Sequence, residues 1–147
     1  MKRLILVASA VLVTVITAHA RLGETVEAIA NRYGQPTPAP YTVEYIYRDY
    51  GDTQAWYTTV DLNALVVFKD GLSQYELVTP KDPTTKLSPS IVRAFMEANA
   101  GGSTWLPPKE TAAATNWARE DGRARASLSS DKRTLAVMIT AGGRENF

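Results

Sequence analysis

Lys69-Asp70-Gly71 limits how this chain can fold more than any other segment. It joins the apolar run Leu65-Val66-Val67-Phe68 to a second one, Leu72 through Val78. Aspartate and glycine both tolerate positive φ, so an Asp-Gly pair between two apolar runs predicts a tight antiparallel hairpin. Upstream, Tyr41, Val43, Tyr45 and Tyr47 alternate with Thr42, Glu44 and Arg48, the period of a half-buried strand, with Ile46 the one apolar residue on the second face. A polar turn over 48–54 then leads into further β pattern at Trp56 to Leu62. One antiparallel meander is expected over residues 41–79.

Two short helices punctuate the rest. Thr25 can cap a helix whose apolar residues Val26, Ile29, Ala30 and Tyr33 recur at helical spacing, and Gly34 with Pro36 stops it. Ser88 caps a second, with Pro89 at its first position, Ile91, Val92, Phe95 and Met96 on one face, and Asn99, Gly101 and Gly102 ending it. Residues 103–115, including Trp105 and Pro107-Pro108, read as loop. The last strands are expected at Trp117 to Glu120, Arg123 to Ser129 and Arg133 to Thr140, separated by Asp121-Gly122 and Ser130-Asp131-Lys132. The fold class is therefore α+β, in the order helix, meander, helix, meander: one antiparallel sheet with both helices packed on one face and the other face open.

Residues 1–20 carry the order of a secretory signal peptide. Lys2 and Arg3 form a positive start, Leu4 to Ile16 an apolar stretch shorter than a membrane-spanning helix needs, and Ala18-His19-Ala20 a small-residue cleavage site. Residues 21–147 are then a single exported domain, periplasmic or secreted, with no membrane anchor. Of 16 basic and 15 acidic residues, two basic ones lie in the leader, so the remainder is nearly neutral. No basic run is present to hold nucleic acid or anionic lipid. The chain has no cysteine, and its one histidine, His19, falls in the leader. Disulfides, Cys-His and Ser-His-Asp catalysis and the common zinc sites are thereby excluded from the exported part, and neither metal nor cofactor is expected.

Leu22-Gly23-Glu24-Thr25-Val26-Glu27, continuing through Ile29 to Tyr33-Gly34-Gln35-Pro36, resembles the opening helix of the SmpA/OmlA-type envelope proteins and of the β-lactamase-inhibitor-protein-like fold. Asn99, Trp105 and the Trp117 to Gly122 hairpin also resemble a group of small exported bacterial proteins without assigned activity. The resemblance implies the fold, and an inhibitor of an extracellular enzyme as one function. The lipid-modified cysteine of the SmpA/OmlA pattern is missing.

Tyr41, Tyr45, Tyr47, Tyr50, Trp56 and Tyr57 crowd into one stretch. If exposed, these rings offer a stacking surface for a sugar or an extended peptide; if inward, they are the sheet's packing face. Arg123 and Arg125 share one face of a predicted strand and suit an anion or acidic partner, or simply a wet sheet face. Tyr45, Tyr47, Tyr50, Trp56, Tyr57, Arg123 and Arg125 are thus the expected ligand-binding residues, and no catalytic residue is assigned. Asp49 with Asp52, and Glu120 with Asp121, fit turns better than a calcium loop. Ser129 and Lys132 match Ser-x-x-Lys, but in a hairpin rather than at a helix start. The expected function is an exported, non-catalytic binding or accessory domain whose partner is a protein or glycan of the cell envelope. The alternatives are a carboxylate-dependent hydrolase of glycan or cell-wall material, using Glu44, Asp49, Asp52 and Asp61, and the inhibitor.

Overall fold

The computed structural model describes residues 21–39 and 49–140. The leader and the expected strand around Tyr45 and Tyr47 lie outside them. Helix α1 spans Val26–Tyr33; Thr25 Oγ1 accepts the Ala28 N–H, and Gly34 ends the helix at φ 91°. Strands β1 (Thr53–Thr58), β2 (Leu62–Lys69) and β3 (Leu72–Pro80) follow as a meander. The β2–β3 turn is the expected one, with Asp70 at φ 52° and Gly71 at φ 76°. Helix α2 spans Pro89–Ala98, with the Ser88 hydroxyl accepting from the Ile91 N–H and Asn99 at the C-terminal cap.

The second meander is β5 (Ala114–Ala118), β6 (Ala124–Ser129) and β7 (Leu135–Ile139), preceded by the two-residue β4 (Lys109–Glu110). All seven strands form one antiparallel sheet in the order β1-β2-β3-β7-β6-β5-β4. The last strands of the two meanders, β3 and β7, pair at its centre, with Tyr75 opposite Met138 and Leu77 opposite Ala136. Three boundaries differ from expectation. The β1–β2 turn falls at residues 59–61, inside the stretch read as continuous strand. The segment read as loop contains β4 and the start of β5, and Arg123 stands in the turn before β6.

Both helices pack on one face, as expected. Ile29 and Tyr33 from α1 and Phe95 and Met96 from α2 share a core with Val66, Val78 and other inward residues of the sheet. The opposite face is not the open surface that the sequence suggested. Trp56, Leu65, Val67, Tyr75, Leu77 and Ala136 form a second buried cluster there, each at most 8 % exposed. This is why residues 64–68 of β2 are buried without alternation, the pattern of a strand covered on both sides. β6, by contrast, alternates buried and half-buried positions.

Leu65→Ala on the face away from the helices should therefore cost about 2–4 kcal/mol in urea unfolding, as for a core leucine. A loss under about 0.5 kcal/mol, the range of an uncovered surface position, would show that face to be bare.

Candidate functional site

An open, largely apolar groove lies between α2 and the β5–β6 half of the sheet. Its volume is about 510 Å³, within the roughly 300–1,000 Å³ of small-molecule sites. Val92 and Met96 of α2 form one wall. Trp117 and Thr115 of β5 and Leu128 of β6 form the floor, and Trp105 and Pro108 close the far side. Local sequence explains the opening. On α2, Phe95, Met96 and Ala98 are buried while Ile91 and Val92 are only half-buried, so the N-terminal half of the helix leaves room above the sheet. Trp117 pairs across the ladder with the small Ala126, and Thr115 with Leu128.

The far wall is held by a strap running from Asn99 to Leu106. Gly101 and Gly102 turn the chain at φ 59° and 80°, a region that other residues adopt only with strain. The Trp105 indole N–H donates to the Met96 carbonyl at 2.7 Å. The Leu106 N–H donates to the Ala118 carbonyl and the Glu120 N–H to the Thr104 carbonyl. Arg119 Nη1 donates to the Asn99 carbonyl at 3.0 Å and its Nε pairs with Asp121. Trp105 and Trp117 remain half-buried, each with apolar area still facing the groove.

The residues expected to bind ligand are scattered. Tyr45 and Tyr47 lie outside the described residues. Trp56 and Tyr57, neighbours on β1, point to opposite faces and are 4 % and 0 % exposed, Trp56 in the second cluster and Tyr57 under the helices. They are packing residues, and neither presents a ring to solvent. Tyr50 stacks on Tyr75, with ring centroids 4.8 Å apart. Arg123 is exposed in the β5–β6 turn, and Arg125 is half-buried on the sheet face opposite the helices. None of the described ones reaches the groove.

The carboxylates Asp49, Asp52 and Asp61 are exposed at turns, and Glu44 lies outside the described residues. Glu120 and Asp121 serve the Trp105 strap and the hairpin turn. Ser129 bonds Asp131 within its turn while Lys132 reaches Thr115, so the Ser-x-x-Lys pair is not a catalytic couple. No cluster of three or more metal-ligating side chains occurs among the described residues.

The residue that sequence reasoning missed is Glu76. It sits mid-strand in β3, opposite Val66 and Val137, and is fully buried beneath the helices. Neither carboxyl oxygen has a hydrogen-bond partner among the described residues, and the same holds for the buried Tyr57 hydroxyl and for Arg32 Nη1. Arg32 pairs through Nη2 with Glu24. Burial pushes the Glu76 carboxyl up to about 8, against the opposing pull of Arg32 and with a further push from Glu24. Burial, with the Glu76 charge adding to it, likewise raises Tyr33 and Tyr57. The group is therefore mostly neutral at pH 7, which is how an apolar core tolerates it. Its only sequence signal is a carboxylate inside the apolar run Leu72 to Val78.

Comparison with protein-family models, with curated proteins and with solved structures finds no match to this chain.

Glu76 sets a pH dependence. Below its unfolded value of 4.5 both states hold the proton. Between there and about 8 only the folded state does, so stability falls as pH rises and levels off above 8. The loss between the lower value and neutrality is about 3 kcal/mol. Asp82, Asp121 and Asp131, lowered by hydrogen bonds from Thr84, Arg119 and Ser129, act oppositely, contributing stability that is lost as pH falls through their folded values. Urea midpoints across pH should thus peak on the mildly acid side. Glu76→Gln should flatten the alkaline limb; an unchanged slope in that variant would remove Glu76 as its cause.

Proposed function

We propose that the protein is an exported, non-catalytic binding domain, and that its working surface is the groove between α2 and the β5–β6 hairpin rather than the sheet face. The observation that carries this reading is the pair of half-buried tryptophans, Trp105 and Trp117, facing one apolar slot whose far wall is fixed by hydrogen bonds. Aromatic side chains on a rigid frame give large contact area at low entropic cost, so a ligand meets a surface already in place. Export is supported by the leader-like order of residues 1–20. The SmpA/OmlA-type and inhibitor-like resemblance is compatible with a binding role and names no partner.

Val92 is half-buried at the groove's edge, so Val92→Glu puts a charge into the slot without opening the core. An envelope extract passed over the immobilised protein should leave small molecules on the wild type that the variant does not retain. Equal retention by both would move the function elsewhere on the molecule. N-terminal sequencing of the exported protein should begin at Arg21; a chain still beginning at Met1 would contradict the leader.

A further inference from the structure

The walls of the groove are apolar, but its charged lining is uneven. Arg93, Lys132 and Glu110 are the ionisable side chains that reach it, two cations against one carboxylate. Glu110 is already engaged: its Oε2 accepts the Thr115 hydroxyl at 2.7 Å. Lys132 Nζ contacts the same hydroxyl oxygen at 3.3 Å, so Thr115 stands between the two and passes its proton to the carboxylate side. Neither Arg93 nor Lys132 takes part in an ion pair among the described residues.

Both cations line the same groove, Arg93 from α2 and Lys132 from the β6–β7 turn. The Lys132 carbonyl accepts the Leu87 N–H at 2.8 Å, which fixes that turn against the residue before the Ser88 cap. Arg93 lies one turn into α2 beyond Pro89, on its exposed side. Lys132 is held there at φ 63°, a backbone conformation that glycine or asparagine adopts at lower cost. The turn thus carries a long cationic side chain, directed into the groove, at a position that would be less strained without one.

We propose that the ligand is a small amphiphilic anion. Its aliphatic or flat-ring body would lie against Trp105 and Trp117, and its single carboxylate or similar anionic head would be held by Arg93 and Lys132. The inference rests on the groove being the binding site. A neutral head would leave the two cations without a counter-charge in the groove, and a cationic head would meet like charge. The planar guanidinium of Arg93 offers paired donors to a carboxylate, and the Lys132 ammonium adds a compact second charge.

The test compares decanoate, decan-1-ol and decylammonium, all below their micelle concentrations, by calorimetry on the full chain. Decanoate should bind roughly tenfold more tightly than the alcohol, with the ammonium weakest, since two partly exposed pairs contribute modestly. Arg93→Gln and Lys132→Gln should each lower decanoate affinity toward that of the alcohol, and lower it more than they lower alcohol affinity. Val92→Glu should abolish both. Equal affinity for decanoate and the alcohol, unaffected by the two Gln variants, would overturn the assignment of the anionic head and leave the groove reading intact. Failure of all three probes would overturn both. Cosedimentation with phosphatidylglycerol vesicles in the absence of decanoate binding would place the two cations at a membrane surface and overturn the free-amphiphile proposal.

Discussion

The groove exists because of where the Trp105 indole N–H ends up. Its bond to the Met96 carbonyl joins the strap after α2 to the last turn of that helix, using a carbonyl that has no intrahelical partner so near the C-terminus. Arg119 reaches the Asn99 carbonyl from the other side, so β5, the strap and the end of α2 are tied at two points. Asn99 extends the connection: its buried side chain accepts the Leu22 N–H and donates to the Phe95 carbonyl. The residues leading into α1 are thereby linked to the end of α2. A wall fixed in this way remains in place without a ligand, whereas a loop free to collapse would fill the slot itself.

The two halves of the sheet are used differently, although each is a helix followed by a three-stranded meander. The β1–β3 half is covered on both faces and supplies stability; even its central carboxyl, Glu76, is enclosed and kept neutral. In the other half β6 alternates buried and half-buried residues, β5 is mostly half-buried, and the first residues of α2 above them are less buried than its last ones. On the proposed reading, recognition uses the less completely covered half, where Trp105 and Trp117 are only half-buried and line the groove. The cost of a fully buried glutamate is then a load carried by the half that has core to spare.

Sequence signals that act over a few residues were legible. Thr25 with Gly34, Ser88 with Pro89 and Asn99, and Asp70-Gly71 each fix local φ or satisfy a helix end, and each stands where its chemistry implies. Signals that depend on a partner far along the chain were not. Trp56 and Tyr57 belong to an aromatic-rich stretch, but whether a strand's two faces are covered depends on residues that periodicity cannot see. The start of β5 hides in Ala112-Ala113-Ala114, which favours no strand by itself. Trp105 and Trp117 stood out only as parts of a resemblance, because the bond that makes them one site joins Trp105 to a helix carbonyl rather than to a side chain. Glu76 gives no local signal of its burial, because an acidic residue in a strand ordinarily faces water and only the helices packed over β3 enclose it.

The three tryptophans of the chain provide the most direct test, since Trp105 and Trp117 line the groove and Trp56 lies in the cluster on the opposite face. Their indole N–H resonances can be followed by two-dimensional NMR while decanoate is added. The account predicts that the Trp105 and Trp117 signals move together along one saturation curve while the Trp56 signal stays in place. Movement of Trp56 with the other two stationary would contradict it and place binding on the far side of the sheet.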